Sequence, residues 1–277
     1  MKNKIGGRGK FFVVGTGPAG PETATLQALK IIKGMDAIVA SDKHVQLFAE
    51  YIGEKPVLFD PWEGFWDYNG KQITDLNQEE REHFQVKRFS LRDERVNRIK
   101  KLLLQGKNVA LLDSGNPCFF GPSHWYVEQF DKRDIEIIPG MGCEAAALAA
   151  LGKSIIPSYD TKFVMQTSPF YLEDLDKTLK VLKQVPVNMV MYMIWKNPQK
   201  LFADLKKVYP ADTPCAVVYW AGYPDKQYII RGTMADMGQK ISENEENNEG
   251  LLLVGRFLNG KPYEAAMLAS TPGGTID

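Results

Sequence analysis

At 277 residues the chain is long enough for one large core and more naturally forms two domains. Its 44% hydrophobic and 25% charged residues are those of a soluble globular protein, and 34 basic residues against 34 acidic ones leave no global field to draw in nucleic acid or an anionic membrane. No apolar run approaches the roughly 20 residues that span a bilayer, the run FFVV behind a basic N-terminus is too short for a secretion signal, and Cys118, Cys143 and Cys215 have no metal or disulfide spacing, so a cytoplasmic protein without a metal site is expected.

In chain order, residues 11–14 (FFVV) form a short buried-type strand. Residues 21–33 repeat apolar positions (Ala24, Leu26, Ala28, Leu29, Ile32) at helical spacing until Gly34 stops them, and residues 37–40 give a second strand. Residues 60–90 show no clear periodicity and read as a lid or surface excursion. The segment SLRDERVNRIKKLLLQG starts a helix at Ser90, with Asp93 completing a capping box, Val96, Ile99 and Leu103 as its apolar face, and Gly106 as its stop. A strand at 108–112, a helical segment at 123–130, a strand at 135–138 and an alanine-rich helix at 143–151 complete an alternation that implies a mostly parallel sheet covered by helices. Beyond about residue 155 the pattern changes to strands at 162–166, 187–192 and 215–221, the last joined through YPDK to 227–231 as a hairpin. A capping-box start at Thr233 with Asp236 and a late strand at 251–255 complete a separate α+β unit. The expected domains are residues 1–157 and 158–277, divided near IIPSYD.

GTGPAG at 15–20 satisfies G-x-G-x-x-G directly behind a strand. A dinucleotide fingerprint, however, needs its helix to begin inside the loop with backbone amides facing a pyrophosphate. Pro18 has no N–H to offer a phosphate, and Pro21 belongs in a first helical turn, which puts the helix start after Gly20. Three readings stand at this point: a nicotinamide or flavin site, a purely structural strand-to-helix turn, and a loop holding a ligand that needs no phosphate cradle.

Four stretches read together point to the third. VVGTGPAGPETATLQAL (13–29), LLDSGNPCFFG (111–121), IIPGMGCEAAALAALG (137–152) and TPCAVVYWAGYPDKQYIIRGTMADM (213–237) with LLLVG (251–255) resemble, in order and spacing, the tetrapyrrole methylase family. That family uses S-adenosylmethionine and includes the corrin-ring methyltransferases of cobalamin biosynthesis. The resemblance covers nearly the whole chain apart from about residues 60–90. It implies an α/β, two-domain fold with a mostly parallel N-terminal sheet and a mixed α+β C-terminal domain, the cofactor folded in the cleft between them, and usually a homodimer.

The family's VGxGPGDPxxxTxxA opening is similar to Gly15, Gly17, Pro18, Pro21, Thr25 and Ala28, with Ala19 and Gly20 replacing its glycine and aspartate. Its GDPxxYG stretch is similar to Gly115, Asn116, Pro117, Phe120 and Gly121; the acid has become Asn116 and the tyrosine Phe120, which removes any carboxylate role there. Pro139 and Gly140 match its PG, while Gly142 replaces a hydroxyl residue. In the second domain Val190, Met191, Tyr192 and Met193, and then Trp220, Ala221, Pro224 and Asp225, match its cofactor-side strands. The resemblance thus implies Pro18, Gly115, Asn116, Phe119, Phe120, Tyr192, Met193 and Ala221 as cofactor-binding residues. The wording TPCAVVYWAGYPDK is nearest the branch acting on precorrin-4, although Trp220 stands where an arginine is common.

Methyl transfer from a sulfonium is an in-line displacement, so the protein chiefly aligns the methyl with a nucleophile and needs no catalytic triad. Asp42 follows the second strand and matches an acid of the family's YDxLV stretch, which makes it the candidate for steering or accepting a proton, against a plain helix cap. Residues 81–101 carry eight Lys or Arg against three Asp or Glu. With the tryptophans of the excursion they nominate Trp66, Arg88, Arg92 and Arg95 as contacts to a flat, carboxylate-rich acceptor, against a solvated face or a dimer contact. His44, His83 and His124 have no metal spacing and read as surface or single hydrogen-bond residues, and Cys118 as packing. The expected function is methyl transfer from S-adenosylmethionine to a tetrapyrrole or corrin-precursor carbon. The alternatives are a noncatalytic S-adenosylmethionine or S-adenosylhomocysteine module and a methyltransferase with another acceptor.

Overall fold

The computed structural model describes residues 7–156, 163–171, 187–194, 197–244 and 250–259. Trp195, most of IIPSYD and the centre of SENEENNEG lie outside them. Two compact units result, Met1–Gly142 and Cys143–Asp277, a division earlier in the chain than the 157/158 boundary expected, because the alanine-rich helix belongs with the second unit.

In the first unit β1 (Phe11–Gly15) is followed by α1 (Leu26–Lys33), β2 (Ala37–Val39), and the short helices α2 (Asp42–Leu47) and α3 (Ala49–Ile52). A hairpin of β3 (Asp67–Tyr68) and β4 (Lys71–Gln72) leads to the long helix α4 (Gln78–Leu104), then β5 (Val109–Asp113), α5 (His124–Val127) and β6 (Ile135–Ile138). The main sheet has the order β2-β5-β1-β6, all parallel. Its inner strands β1 and β5 are almost wholly apolar and buried from end to end because both faces are covered. Phe12, Val14, Ala110 and Leu112 face α1, α2 and α3 through Ile32 and Phe48. Phe11, Val13, Val109 and Leu111 face α4 and α5 through Ile99, Leu103 and Tyr126.

The second unit opens with α6 (Cys143–Leu151) and β7 (Phe163–Thr167), continues through β8 (Val187–Met191), α7 (Pro198–Leu205), β9 (Pro214–Tyr219), β10 (Tyr228–Thr233) and α8 (Met237–Ser242), and ends on β11 (Gly250–Val254). Its sheet has the order β10-β9-β11-β8-β7, parallel only between β7 and β8. Met189, Met191, Val217, Leu252 and Val254 pack one face against Phe202 and Leu205 of α7 and Met237 and Ile241 of α8. α6 packs near β11. The expected parallel N-terminal sheet and mixed C-terminal sheet are both present.

Three local expectations are corrected. The helix assigned to 21–33 is a 3₁₀ turn at Pro21–Thr23 followed by α1, because the Thr25 hydroxyl accepts from Ala28 N and sets a new start. The helix assigned to begin at Ser90 begins at Gln78: Asn77 accepts from Glu80 N while the Glu80 carboxylate accepts from Asn77 N, a complete capping box. The helical segment at 123–130 shortens to α5.

Candidate functional site

Because β5, β1 and β6 run parallel side by side, their C-terminal loops meet at one edge of the sheet, where ligands of open α/β sheets bind. Thr16 N donates to the Asp113 carbonyl at 2.9 Å and Gly115 N to the Gly17 carbonyl at 2.9 Å, stitching the β1 loop to the β5 loop. The β6 loop closes on both. A Cβ on Gly15 would lie 2.5 Å from Gly140 N and 2.6 Å from Pro117 Cδ, and one on Gly140 would lie 2.1 Å from the Gly115 oxygen. Backbone therefore touches backbone across three loops, an approach only glycine permits. At Gly115, by contrast, φ is +70° and the nearest atom to a Cβ is the Met141 oxygen at 4.0 Å, so this loop turns an open backbone face outward.

Pro18 lies half-buried in the first loop. Next to it Ala19 N donates to Thr23 Oγ1 at 3.0 Å, and that hydroxyl donates to the Gly20 carbonyl at 3.0 Å. The glycines are thus closed off by a 3₁₀ turn before α1 begins, so no helix N-terminus sits in the glycine loop and the pyrophosphate cradle of a dinucleotide fold is not built. In the β5 loop Asn116 Oδ1 accepts from Cys118 N at 3.0 Å and its carbonyl from Phe119 N at 3.0 Å, a side-chain-closed turn. Phe119 and Phe120 meet edge to face at 4.9 Å. Phe120 is 41% exposed with φ +53°, a left-handed conformation rarely adopted by an aromatic residue.

Behind these loops lies a residue the sequence reading underrated. His44 is buried, and its Nε2 is 3.3 Å from both Thr16 Oγ1 and Ser114 Oγ while its Nδ1 is 2.9 Å from Ser41 Oγ. It is neither a surface histidine nor the holder of one hydrogen bond: it joins the start of α2 to the ends of β1 and β5. Burial, assisted by the charge of Lys43, lowers its pKa to about 4, so it is neutral at physiological pH. Beside it in sequence, Asp42 is exposed in the first turn of α2, where Ser41 rather than Asp42 supplies the cap. Asp113, at the end of β5, is a buried carboxyl that burial pushes up, and its Oδ2 has no hydrogen-bond partner among the described residues.

The proposed acceptor residues separate into two groups. Arg95 is buried on α4 and donates to the Pro61 and Glu63 carbonyls at 3.4 and 3.0 Å, to Tyr126 Oη at 3.4 Å and to Glu63 Oε2 at 3.3 Å. Its guanidinium anchors the 61–63 loop to α4. Trp66 is 51% exposed, and Arg88 and Arg92 stand over Trp125 at 4.9 and 5.3 Å.

In the second unit Tyr192 follows β8, its hydroxyl 2.8 Å from Gln166 Oε1 and 3.1 Å from Glu144 Oε2. Burial and the neighbouring Glu144 charge push the phenol up, so it remains a proton donor. Met193 (φ +57°) and Trp220 (φ +53°) hold left-handed backbone just after β8 and β9, and Ala221 is buried in the second of these turns. Strained residues of this kind persist where surrounding structure over-determines them, and they cluster at ligand sites. Among the described residues no group of three His, Cys, Asp or Glu is placed to hold a metal, and no helix is long and apolar enough to cross a membrane.

A parallel-sheet unit with glycine-packed loops at its strand ends, followed by a mixed-sheet unit, defines the two-domain methyltransferase class. The chain belongs to the tetrapyrrole (corrin/porphyrin) methylase family, whose pattern it matches over residues 10–238. It is 26% identical to a cobalt-precorrin-4 C(11)-methyltransferase of Methanocaldococcus jannaschii, over 94% of this chain and 92% of the relative. It is also 27% identical to a uroporphyrinogen-III C-methyltransferase of Bacillus subtilis, over 91% of each. Among solved structures it superposes on a cobalt precorrin-4 methyltransferase with a TM-score of 0.69 at 21% identity, covering 91% of this chain and 96% of the other. A uroporphyrin-III C-methyltransferase from Thermus thermophilus, complexed with S-adenosylhomocysteine, gives 0.60 at 19% identity, covering 90% and 99%. Family and fold make the chain an S-adenosylmethionine-dependent methyltransferase of this class.

Proposed function

We propose that the chain transfers the methyl group of S-adenosylmethionine to a ring carbon of a carboxylate-bearing tetrapyrrole or corrin precursor, in the neighbourhood of the precorrin-4 branch. The observation that carries the reading is the backbone-to-backbone packing of Gly15, Gly17, Gly115 and Gly140 at the strand ends, with the Gly115 face left open. These residues fit the cofactor, since a shallow cradle without side chains lets a ligand lie against the main chain.

When bound, S-adenosylmethionine supplies an electrophilic methyl on a sulfonium that departs as a neutral thioether. The task left to the chain is alignment. Pro18, Gly115 and Asn116 shape the cradle, and Phe119 and Phe120 present rings whose faces attract a cation by about 0.5–2 kcal/mol. By the family resemblance Tyr192, Met193 and Ala221 are further candidate cofactor contacts. Asp42, exposed at the start of α2, receives a proton shed by the acceptor.

The test is incubation with methyl-labelled S-adenosylmethionine and uroporphyrinogen III or a cobalt-corrin precursor. Label on the macrocycle is expected. Cofactor binding without label on any tetrapyrrole would replace this reading by the noncatalytic module or by another acceptor.

A further inference from the structure

The segment that the family resemblance leaves out, about residues 60–90, folds around an uncompensated charge. The Arg88 guanidinium lies 4.8 Å from the ring centre of Phe65, 4.9 Å from Trp125 and 5.3 Å from Phe84. Its Nε is buried without a hydrogen-bond partner, and no carboxylate of the described residues pairs with it. Its neighbours on α4 differ. Arg95 spends its donors on the 61–63 loop, and Arg92 pairs with Asp93 at 2.8 Å.

Stacking on rings contributes about 0.5–2 kcal/mol, but a guanidinium drawn partly out of water still lacks acceptors for its fork of N–H groups. Burial accordingly makes its charged form harder to hold. An anion arriving there relieves that cost and forms charge-assisted, bidentate hydrogen bonds, the strongest available to a side chain. One helical turn on, Arg92, paired with Asp93, stands 5.3 Å from the same Trp125 ring and 4.8 Å from Phe89, placing a second guanidinium on this face. Around the pair, Trp66 and Phe89 are 51% and 42% exposed, flat apolar surface beside the cations. A cation held on the buried Phe65 and Phe84 and the half-buried Trp125, with the exposed Trp66 and Phe89 beside it, matches a planar body with carboxylates on its rim. It matches neither a purely apolar ligand, which would leave Arg88 unpaired, nor a small free anion, which would leave the rings wet.

We infer that Arg88, with Arg92 beside it over Trp125, forms an anion site that receives a carboxylate of the planar methyl acceptor, with Phe65, Trp66 and Phe89 as its apolar walls. This rests on the methyl-transfer reading and adds which face of the first unit selects the acceptor. Arg95 is excluded from it by its internal bonds.

The probe is uroporphyrin III, a stable planar polycarboxylate, titrated into the full chain with and without S-adenosylhomocysteine while tryptophan fluorescence is followed. Saturable quenching is expected from the native chain. Arg88→Met keeps the stem against the rings, and Arg88→Gln provides a second variant should the first fold poorly. Each is expected to weaken porphyrin binding at least about tenfold, the loss of a charge-assisted bond, with S-adenosylhomocysteine affinity and subunit mass unchanged. Equal porphyrin affinity in native and variant chains would overturn the site, as would loss of a dimer in the variants, which would make this face a subunit contact. Absence of porphyrin binding in a native chain that binds S-adenosylhomocysteine would sink the inference alone, whereas failure to bind S-adenosylhomocysteine would sink the methyl-transfer reading.

Discussion

His44 Nε2 lies 3.3 Å from Thr16 Oγ1, and because the Thr16 hydroxyl gives its proton to the Asp113 carbonyl at 2.9 Å, the imidazole is the donor of the pair. Ser41 in turn serves Nδ1 as a donor at 2.9 Å, which fixes a neutral ring protonated on Nε2. With its pKa lowered from 6.5 to about 4 by burial, the unfolded chain takes up a proton in that window that the folded chain refuses. Stability is therefore present above the ordinary histidine value and is lost as pH falls toward 4, by up to about 1.4 kcal/mol per pH unit for one proton. Urea unfolding across this window should show the loss in the native chain and a smaller one in His44→Gln. Parallel pH profiles would contradict the assignment.

Gly140→Ala places a methyl against the Gly115 oxygen and the Gly15 backbone, atoms that cannot rotate away. The expected cost is about 1–3 kcal/mol, typical of overpacking, together with weaker S-adenosylhomocysteine binding as the three loops part. Chemical unfolding and calorimetry on the same variant check both. Native stability with native affinity would mean that the loops tolerate separation.

Arg95→Met removes the anchor of residues 61–63 while keeping the buried stem. The Glu63 carbonyl loses its partner while Pro61 keeps the Tyr126 hydroxyl at 2.8 Å, so the expected cost is about 0.5–1.5 kcal/mol. The Glu63 ion pair adds little, because that carboxylate is 77% exposed. A midpoint unchanged in urea would show that the loop is held by Trp62 and Phe65 instead.

The main strands were legible because runs such as FFVV and LLLV need nothing but continuous apolar character. The excursion was not. Its helix starts at Asn77, but residues 78–89 bury only Phe84 and expose Val86 and Phe89, so no 3.6-residue stripe announces them. Ser90 looks like a cap and lies mid-helix because tertiary contacts override local preference. One available signal went unused: Asn69-Gly70, with φ of 51° and 79°, is the two-residue turn that joins β3 to β4. His44 was undervalued for another reason, since its partners Thr16 and Ser114 lie far from it in sequence and only the parallel sheet brings them together. The glycine motifs were legible as motifs, whereas their mutual contact at van der Waals limits became visible only in the fold.

Asn116→Asp restores the acid the family has at this position and keeps the oxygen that accepts from Cys118 N. Its thermal midpoint should therefore stay close to native, within about 0.5 kcal/mol of stability, as for substitutions that remove no packing or cap. Asn116→Ala, which opens the turn, should cost about 0.5–2 kcal/mol by analogy with the loss of a side-chain cap. Equal stability of all three would leave the turn to Pro117 alone.

Under the proposed function the glycine-lined edge of the first unit serves a methyl-transfer cofactor and not a dinucleotide, and calorimetric titration of the full chain with S-adenosylhomocysteine and, separately, with NAD distinguishes the two. Saturable binding of S-adenosylhomocysteine, weakened by Gly140→Ala, is expected, with no comparable heat from NAD. Binding of NAD in preference, or no binding of S-adenosylhomocysteine at millimolar concentration, would contradict it.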